Sequence, residues 1–284
     1  DQRLHEAAGG AYAVWDGKEN KPWRGYELVT KDQPVPTPPG APPSSAAPAT
    51  IRFTERQYYG EYWVDPYSEK VWEYNVAIAR EIVARGFDEV QFDYIRFPTD
   101  GANLADARFR WQDKGMDRES ALMSFLSYAR SHIDAPISID IYGANGWFRS
   151  GVRTGQDVEL LSRYVDAICP MFYPSHFEQD FLAYPPADQR PYRIYRLGTL
   201  RNSYISRKKA VIRPYVQAFF LNVRYDREYY SPRYVSLQVD GVRDSRNEGL
   251  TFWNNAGRYD DIPVMNIGRD GRLAAGKDAR GVLD

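Results

Sequence analysis

The stretch VQFDYIRFPTDG, residues 90–101, has the composition of a buried strand that carries a carboxylate near its end. Val90 and Phe92 belong in a core, whereas Asp93 tolerates such a place only where it is paired or needed for function. Pro98 then ends the strand, since proline cannot donate a hydrogen bond to a neighbouring strand. The stretch therefore predicts a core strand that presents an acid at its carboxyl end.

A helix is predicted immediately before this strand. In WVDPYSEKVWEYNVAIAREIVARG, residues 63–86, Asp65 is a good N-cap, Pro66 suits the first helical position and Gly86 suits the C-terminal end. Spacings of three and four residues place several apolar side chains on one stripe of this helix, namely Val71, Tyr74, Ile78 and Ile82.

The alternation of helix and strand continues to the end of the chain. Further strands are predicted near residues 140, 171, 216 and 252, with helices between them, one of which starts at Ser231-Pro232. Apolar strands that alternate with helices indicate a parallel sheet covered by helices. Because no glycine-rich phosphate loop follows a strand, the pattern favours a (β/α)8 TIM-barrel fold over a nucleotide-binding sheet. Five of eight βα units are identifiable, so we expect an incomplete barrel with parallel strands and outer helices.

The N-terminal part is organised differently. Residues 1–62 contain no clear βα unit, and we expect an irregular segment there. Residues 33–48, QPVPTPPGAPPSSAAP, hold seven of the nineteen prolines and predict an extended insertion without packed structure. The barrel portion is expected over residues 63–265, followed by a tail at 266–284.

Composition excludes several classes of function. The net charge of −1 gives no electrostatic reason to expect nucleic acid as a partner. Cys169 is the single cysteine and the three histidines are far apart, so neither a disulfide nor a metal site is predicted. No run of eighteen apolar residues predicts a membrane span, and the first residues do not form a signal peptide. The oligomeric state is left open.

Polar or aromatic side chains stand near the carboxyl end of every predicted strand, where barrels place their active sites. Glycoside hydrolysis needs two carboxyl groups, one protonated and one ionised. Asp93 and Asp140 lie at equivalent depth on successive strands and are the predicted catalytic pair, with Asp93 as nucleophile or base and Asp140 as acid. The predicted substrate-binding residues are Arg96, Tyr142, Tyr173, His176, Gln217, Trp253 and Asn254.

Structural interpretations of these residues stay open. Asp93 can be an ion-pair partner of Arg96 that closes its strand, and Asp140 can bind a neighbouring loop. Trp253 can fill the barrel instead of stacking on a sugar. Glu89 precedes its strand and is interpreted as a solvated turn residue. If the carboxylates do not converge, a non-catalytic carbohydrate-binding or scaffolding barrel is the alternative function.

Several runs in order along the chain resemble a known family. They are residues 63–101, ICPMFYPSHF at 168–177, RPYVQAF at 213–219 and GLTFWNNAGRYDD at 249–261. They look like the bacterial glycosyl hydrolase family that was long catalogued as a domain of unknown function and is assigned to the TIM-barrel glycosidase superfamily. The resemblance spans residues 15–263. The family has an N-terminal portion that supplies the first barrel strands, and we expect this chain to begin after it.

The resemblance implies hydrolysis of a poly- or oligosaccharide without a cofactor. A substrate from the cell envelope is expected, which would place the protein outside the cytoplasm with any signal upstream of this chain. A more distant similarity is to the chitinase-like glycosidases, in which an acidic motif ends the fourth strand. Asp93 matches an aspartate of that motif, but Ile95 replaces the glutamate acid. A substrate-assisted mechanism of the chitinase type is therefore not expected.

Overall fold

The computed structural model describes residues 2–34, 50–148, 153–268, 270 and 272–274. Within them the strands are β1 (Trp15–Asp16), β2 (Lys21–Pro22), β3 (Tyr26–Pro34), β4 (Thr50–Tyr58), β5 (Val90–Phe92), β6 (Ala107–Arg108), β7 (Ile137–Tyr142), β8 (Ala167–Met171), β9 (Val211–Ile212), β10 (Tyr215–Gln217) and β11 (Thr251–Trp253). The α-helices are α1 (Gln2–Glu6), α2 (Glu69–Ala84), α3 (Arg118–His132), α4 (Val158–Leu161), α5 (Arg190–Ile205), α6 (Arg224–Tyr229) and α7 (Pro232–Arg243).

The chain divides into two compact units. The first contains residues 1–71 and 98–114, and the second contains residues 72–97 and 115–284. Strand β1 of the first unit pairs antiparallel with β2 and β6. Its core contains Val14, Trp23 and Trp63, which are almost fully buried.

A long hairpin also belongs to the first unit. Strands β3 and β4 pair antiparallel from Tyr26 with Tyr58 to Pro34 with Thr50. The sequence pattern did not predict this hairpin, because the segment between its strands far exceeds the two to five residues of an ordinary hairpin loop. Of the proline-rich insertion at 33–48, Gln33 and Pro34 lie in β3, and the rest lies outside the described residues.

The sheet of the second unit has parallel strands at five successive positions. Strands β5, β7, β8 and β9 make one parallel sheet in that order, and β10 pairs in parallel with β11. Strands β9 and β10 are two halves of one strand, because the N–H of Arg213 still donates to Ile168 at 3.0 Å while Pro214 already accepts from Thr251 at 3.0 Å. The expectation of an incomplete barrel with about five parallel strands and outer helices is confirmed.

Side-chain contacts show how strongly this sheet curls. Arg213 forms a two-pronged ion pair with Glu89, and the Tyr215 hydroxyl donates to Gln91 at 2.9 Å. Three inter-strand spacings separate these partners along the sheet, which would be about 14 Å if the sheet were flat. Curvature therefore brings the first and fourth strand positions together across the barrel interior. The interpretation of Glu89 as a solvated turn residue is wrong.

Strand β7 shows how the sequence assigns its two faces. Ile137, Ile139 and Ile141 are fully buried on one face, and Ser138 and Asp140 alternate with them on the other. Helices α5 and α7 cover the neighbouring part of the sheet, where a cluster of fully buried side chains contains Phe172, Ile194, Tyr195, Val216, Val235 and Val242. Helix α7 begins where the sequence predicts, since the Ser231 side chain accepts from the N–H of Tyr234.

Candidate active site

A cavity of about 260 Å³ opens at the carboxyl ends of the parallel strands, and we call it the first cavity. Its walls come from the last residues of β7, β8 and β11, from Tyr215 on β10, and from residues that follow β5, β7 and β8. Seven of the residues predicted from the sequence line it: Asp93, Arg96, Asp140, Tyr142, Tyr173, His176 and Trp253. The convergence of strand ends expected of a barrel therefore holds for these residues.

Asp93 and Asp140 form the polar centre of the first cavity. The parallel register pairs Phe92 with Ile139, so the next residues, Asp93 and Asp140, lie level on adjacent strands. Their carboxyl groups are in hydrogen-bond contact with each other. Asp140 is 4% exposed, whereas Asp93 lies at the open mouth.

The surroundings of the two carboxyl groups shift their pKa values. Burial, and then the charge of Asp93, raise the pKa of Asp140 to about 8. Partial desolvation also raises the pKa of Asp93, although the N–H of Tyr94, the charge of Arg96 and the hydrogen bond with Asp140 all oppose that rise. At neutral pH, Asp140 therefore carries the proton, and the hydrogen bond with Asp93 favours this arrangement.

A second polar pair orients Asp140. Gln91 Nε2 donates to Asp140 Oδ1 at 2.7 Å, and Gln91 Oε1 accepts from the Tyr215 hydroxyl at 2.9 Å. Burial raises the pKa of Tyr215, so its hydroxyl stays a donor and fixes which way the Gln91 amide faces. Sequence reasoning missed Gln91, although it precedes Asp93 by two residues and therefore shares its face of β5.

The backbone beyond Asp93 has an unusual conformation. Tyr94 has a φ of 54°, in the left-handed region, which costs a residue with a side chain about 1–3 kcal/mol. Its N–H donates to Asp93 Oδ1 at 2.6 Å. Its ring is 57% exposed at the cavity mouth, with the Arg96 guanidinium 5.0 Å from the ring centroid. The turn thus holds the Asp93 carboxylate and presents an aromatic face at the same time.

Gln156 joins the ends of β5 and β7. This buried side chain donates from Nε2 to the carbonyls of Ile95 at 3.2 Å and Asp140 at 2.9 Å, and its Oε1 accepts from the N–H of Tyr142 at 2.9 Å. Gly143 follows at a point where any side chain would collide with the carbonyl of Met171. Sequence reasoning missed Gln156 because it lies in a loop with no periodic pattern.

Aromatic rings form much of the remaining wall. Tyr173 is nearly buried, with its ring 5.3 Å from that of His176, which is exposed at the mouth. Trp253 is 46% exposed, and its ring meets that of Tyr215 edge-on at 6.4 Å. Exposed rings beside polar groups are suited to stacking on one face of a flat ligand while its substituents form hydrogen bonds.

Two predicted substrate contacts have other partners. Gln217 is fully buried outside the lining of the first cavity, and its amide donates to Asp226 and Phe219 at 2.9 Å and accepts from the Ser175 hydroxyl at 3.0 Å. The prediction that Gln217 lines this cavity is therefore wrong. Asn254 donates to the Ala218 carbonyl and accepts from the N–H of Ala256 at 2.8 Å, so its side chain stabilises a turn.

A buried arginine holds the segment that carries His176. Arg190 is 0% exposed, and its guanidinium donates to the carbonyls of Pro174 at 3.0 Å, Glu178 at 2.7 Å and Phe181 at 2.7 Å. The Tyr225 ring lies 4.6 Å from the guanidinium carbon. One side chain thus fixes the path of residues 174–181.

In the described ranges, no three His, Cys, Asp or Glu side chains are grouped as metal ligands would be. None of the helices among the same residues has the length and apolar character needed to cross a membrane.

The fold can be compared with solved structures. The chain is similar to the glycoside hydrolase domain of PgaB (BpsB) from Bordetella bronchiseptica, with 11% identity and a TM-score of 0.44 over 78% of this chain and 64% of that one. It is also similar to the spore cortex-lytic enzyme SleL of Bacillus megaterium QM B1551, with 11% identity and a TM-score of 0.41 over 67% of this chain and 51% of that one.

A further similarity is to the α-galactosidase TtGalA of Thermus thermophilus, with 16% identity and a TM-score of 0.37 over 69% of this chain and 36% of that one. The chain thus spans less than two thirds of the length of these proteins. A search of curated proteins gives no match. Residues 45–259, about three quarters of the chain, match the family described as "Putative glycosyl hydrolase domain", and the chain belongs to that family.

Proposed function

We propose that this protein hydrolyses glycosidic bonds of a poly- or oligosaccharide in the first cavity. The observation that carries the proposal is that Asp93 and Asp140 meet in the first cavity, where burial and the charge of Asp93 raise the pKa of Asp140 to about 8. Glycoside hydrolysis uses one protonated and one ionised carboxyl group, and barrels place such groups at the carboxyl ends of their strands. Membership of a glycosyl hydrolase family supports the same reaction.

In the proposed reaction, Asp93 supplies the negative charge. Its carboxylate attacks the anomeric carbon as nucleophile or activates a water molecule as base. The exposed rings of Tyr94, Tyr142 and Trp253 stack on sugar faces, and Arg96 binds sugar hydroxyls. The reaction needs no cofactor.

The role of Asp140 depends on its distance from Asp93. Acid and base carboxyl groups of glycosidases usually stand about 5–9.5 Å apart, so that the scissile bond fits between them. The two carboxyl groups here are closer, since they share a hydrogen bond. Asp140 therefore acts as acid only if the sugar displaces this hydrogen bond on binding. Without substrate, the protonated Asp140 donates a hydrogen bond that orients the Asp93 carboxyl group.

The experiment that tests the proposal is a hydrolysis screen over a panel of poly- and oligosaccharides with wild type and Asp93→Asn. The substitution keeps the side-chain shape and removes the charge, so we expect hydrolysis to be abolished while the circular dichroism spectrum is unchanged. Asp88→Asn is the matched control, because Asp88 is exposed at the opposite end of β5. Binding of saccharides without hydrolysis by the wild type would instead favour a carbohydrate-binding barrel.

A further inference from the structure

A second cavity, of about 720 Å³, adjoins the first. The two cavities share Tyr173, His176 and Trp253 in their linings, so they lie side by side, and we call the two together the cleft. The second cavity extends from these shared residues toward the segments that follow β10 and β11. The first cavity alone is smaller than the about 300–1,000 Å³ of ordinary ligand sites, whereas the cleft as a whole reaches the upper end of that range.

The walls of the second cavity combine aromatic rings with charged groups. Phe219 packs edge-on against Tyr173 at 5.3 Å, and Phe220 meets Tyr230 in the same way at 5.8 Å. Phe220 is 52% exposed, and such a ring is stabilised when a ligand removes its surface from water. The polar part of the lining contains Asn254, which the sequence predicts as a substrate contact, together with Asn255, Arg258, Asp260 and Asp261.

This lining points to one class of ligand. The single arginine stands against two aspartates, so the cavity offers no excess of positive charge for a phosphate or a nucleic acid. Amide, carboxylate and guanidinium groups together accept and donate hydrogen bonds, as a set of sugar hydroxyls requires. Exposed rings beside them provide the apolar faces on which sugar rings stack.

We propose that the second cavity binds further sugar units of the same saccharide chain whose glycosidic bond lies at Asp93. The inference rests on the proposed function and specifies its substrate as a chain of at least three units. Sugar units bound away from the reacting bond lower the barrier of the chemical step as well as KM, because their binding energy positions that bond.

The test uses chito-, cello-, xylo- and malto-oligosaccharides of two to six units. We expect kcat/KM of the wild type to rise with chain length on the series that it hydrolyses. Phe220→Ala should lower kcat/KM about tenfold for the longest oligosaccharide and leave the shortest hydrolysed one unchanged. Phe87→Ala is the matched control, since Phe87 is exposed to 62% in the turn before β5 and lines neither cavity.

Hydrolysis and binding data together distinguish a failure of the second site from a failure of the proposed function. Hydrolysis that is independent of chain length, or equally affected by Phe220→Ala at all lengths, overturns the second site and leaves the function standing. If nothing is hydrolysed, calorimetry with the six-unit oligosaccharides decides. Binding to wild type that Phe220→Ala weakens supports the site without the reaction, and the absence of binding overturns both.

Discussion

Asp140 can be assigned a role by varying the leaving group of the substrate. If Asp140 protonates the leaving group, Asp140→Asn lowers kcat on natural saccharides but spares aryl glycosides with good leaving groups, which need little acid assistance. If Asp140 instead orients Asp93, both substrate types lose activity by a similar factor. We expect the first result, because a sugar bound between the two carboxyl groups would displace their hydrogen bond, and we expect a loss of about 10²–10⁴-fold on natural saccharides alone. Steady-state kinetics on a matched pair of substrates decide between the two roles.

The proton on Asp140 also affects stability. Its pKa is about 8 in the folded protein and about 4 in an unfolded chain. Between these values the folded state holds a proton that the unfolded chain has released, so the free energy of unfolding falls as pH rises, by at most about 1.4 kcal/mol per pH unit. Urea denaturation from pH 5 to pH 8 should show this slope in wild type and in Asp88→Asn. The slope should be reduced in Asp140→Asn, and equal slopes in all three proteins would contradict the raised pKa.

Gln91 should also affect the pKa of Asp140. Its amide donates to Asp140 and thereby stabilises the ionised carboxyl group, so Gln91→Leu should raise the pKa of Asp140 further above about 8. Carbon-13 NMR titration of the aspartate carboxyl groups measures this without a substrate. Tyr215→Phe removes only the hydroxyl that orients Gln91, and we expect a smaller shift in the same direction. A fall in the pKa of Asp140 in Gln91→Leu would contradict the contact.

At the residue level, the sequence predicts the carboxylates and half of the Phe, Tyr and Trp residues in the lining, because strand ends in a barrel face one opening. It cannot predict Tyr94, whose placement depends on a left-handed backbone conformation, or Gln156, which acts through loop carbonyls. Gln217 lies at the carboxyl end of its strand, as predicted, but does not line the first cavity. The segment after β10 folds back, and the Gln217 amide donates to Asp226 at 2.9 Å instead.

At the element scale, the segment 174–181 depends on Arg190. Replacing Arg190 by methionine should destabilise the protein by roughly 3 kcal/mol, because buried carbonyls lose their donors. The KM for saccharides should also rise, since His176 lies on this segment. Arg207→Met is the control, as Arg207 pairs with Glu159 on the surface and should change the free energy of unfolding by less than about 1 kcal/mol. Equal losses in both variants would rule out a special role for Arg190.

The elements themselves were predictable to different degrees. Apolar runs and caps predict the parallel strands and helix α7, because each is determined by local sequence. Helix α2 begins at Glu69, later than the predicted cap at Asp65, whose carboxylate accepts from the N–H of Tyr67 in a preceding turn. The β3–β4 hairpin depends on pairing between distant residues and has no local signal.

At the scale of the whole molecule, the strand count alone predicts the incomplete barrel. The curl of the sheet was not predictable, because it shows only in contacts such as Glu89 with Arg213, which are 124 residues apart. Residues 98–114 come shortly after β5, the first parallel strand, but they belong to the first compact unit and not to the second. The sequence indicates this region only by the interruption of the helix–strand alternation, and it does not predict which residues the region contacts.

The incomplete barrel has consequences in solution. Among the described residues, β5 pairs only with β7 and β11 only with β10, so each has an edge without a strand partner. Neither strand contains a lysine or an internal proline, the residues that commonly protect such edges, and Trp253 on β11 is exposed. Open apolar edges pair readily with other chains. We therefore expect this 284-residue chain to self-associate and to have low solubility as its concentration rises.

Light scattering after size-exclusion chromatography measures this self-association. Thr251→Lys places a charge on the β11 edge and should shift the equilibrium toward the monomer, because a second strand would have to bury that charge. Ser127→Lys adds the same charge on the exposed surface of α3 and should leave association unchanged. A wild-type chain that stays monomeric at all concentrations, or an equal response to both lysines, would show that the sheet edges are not the associating surface.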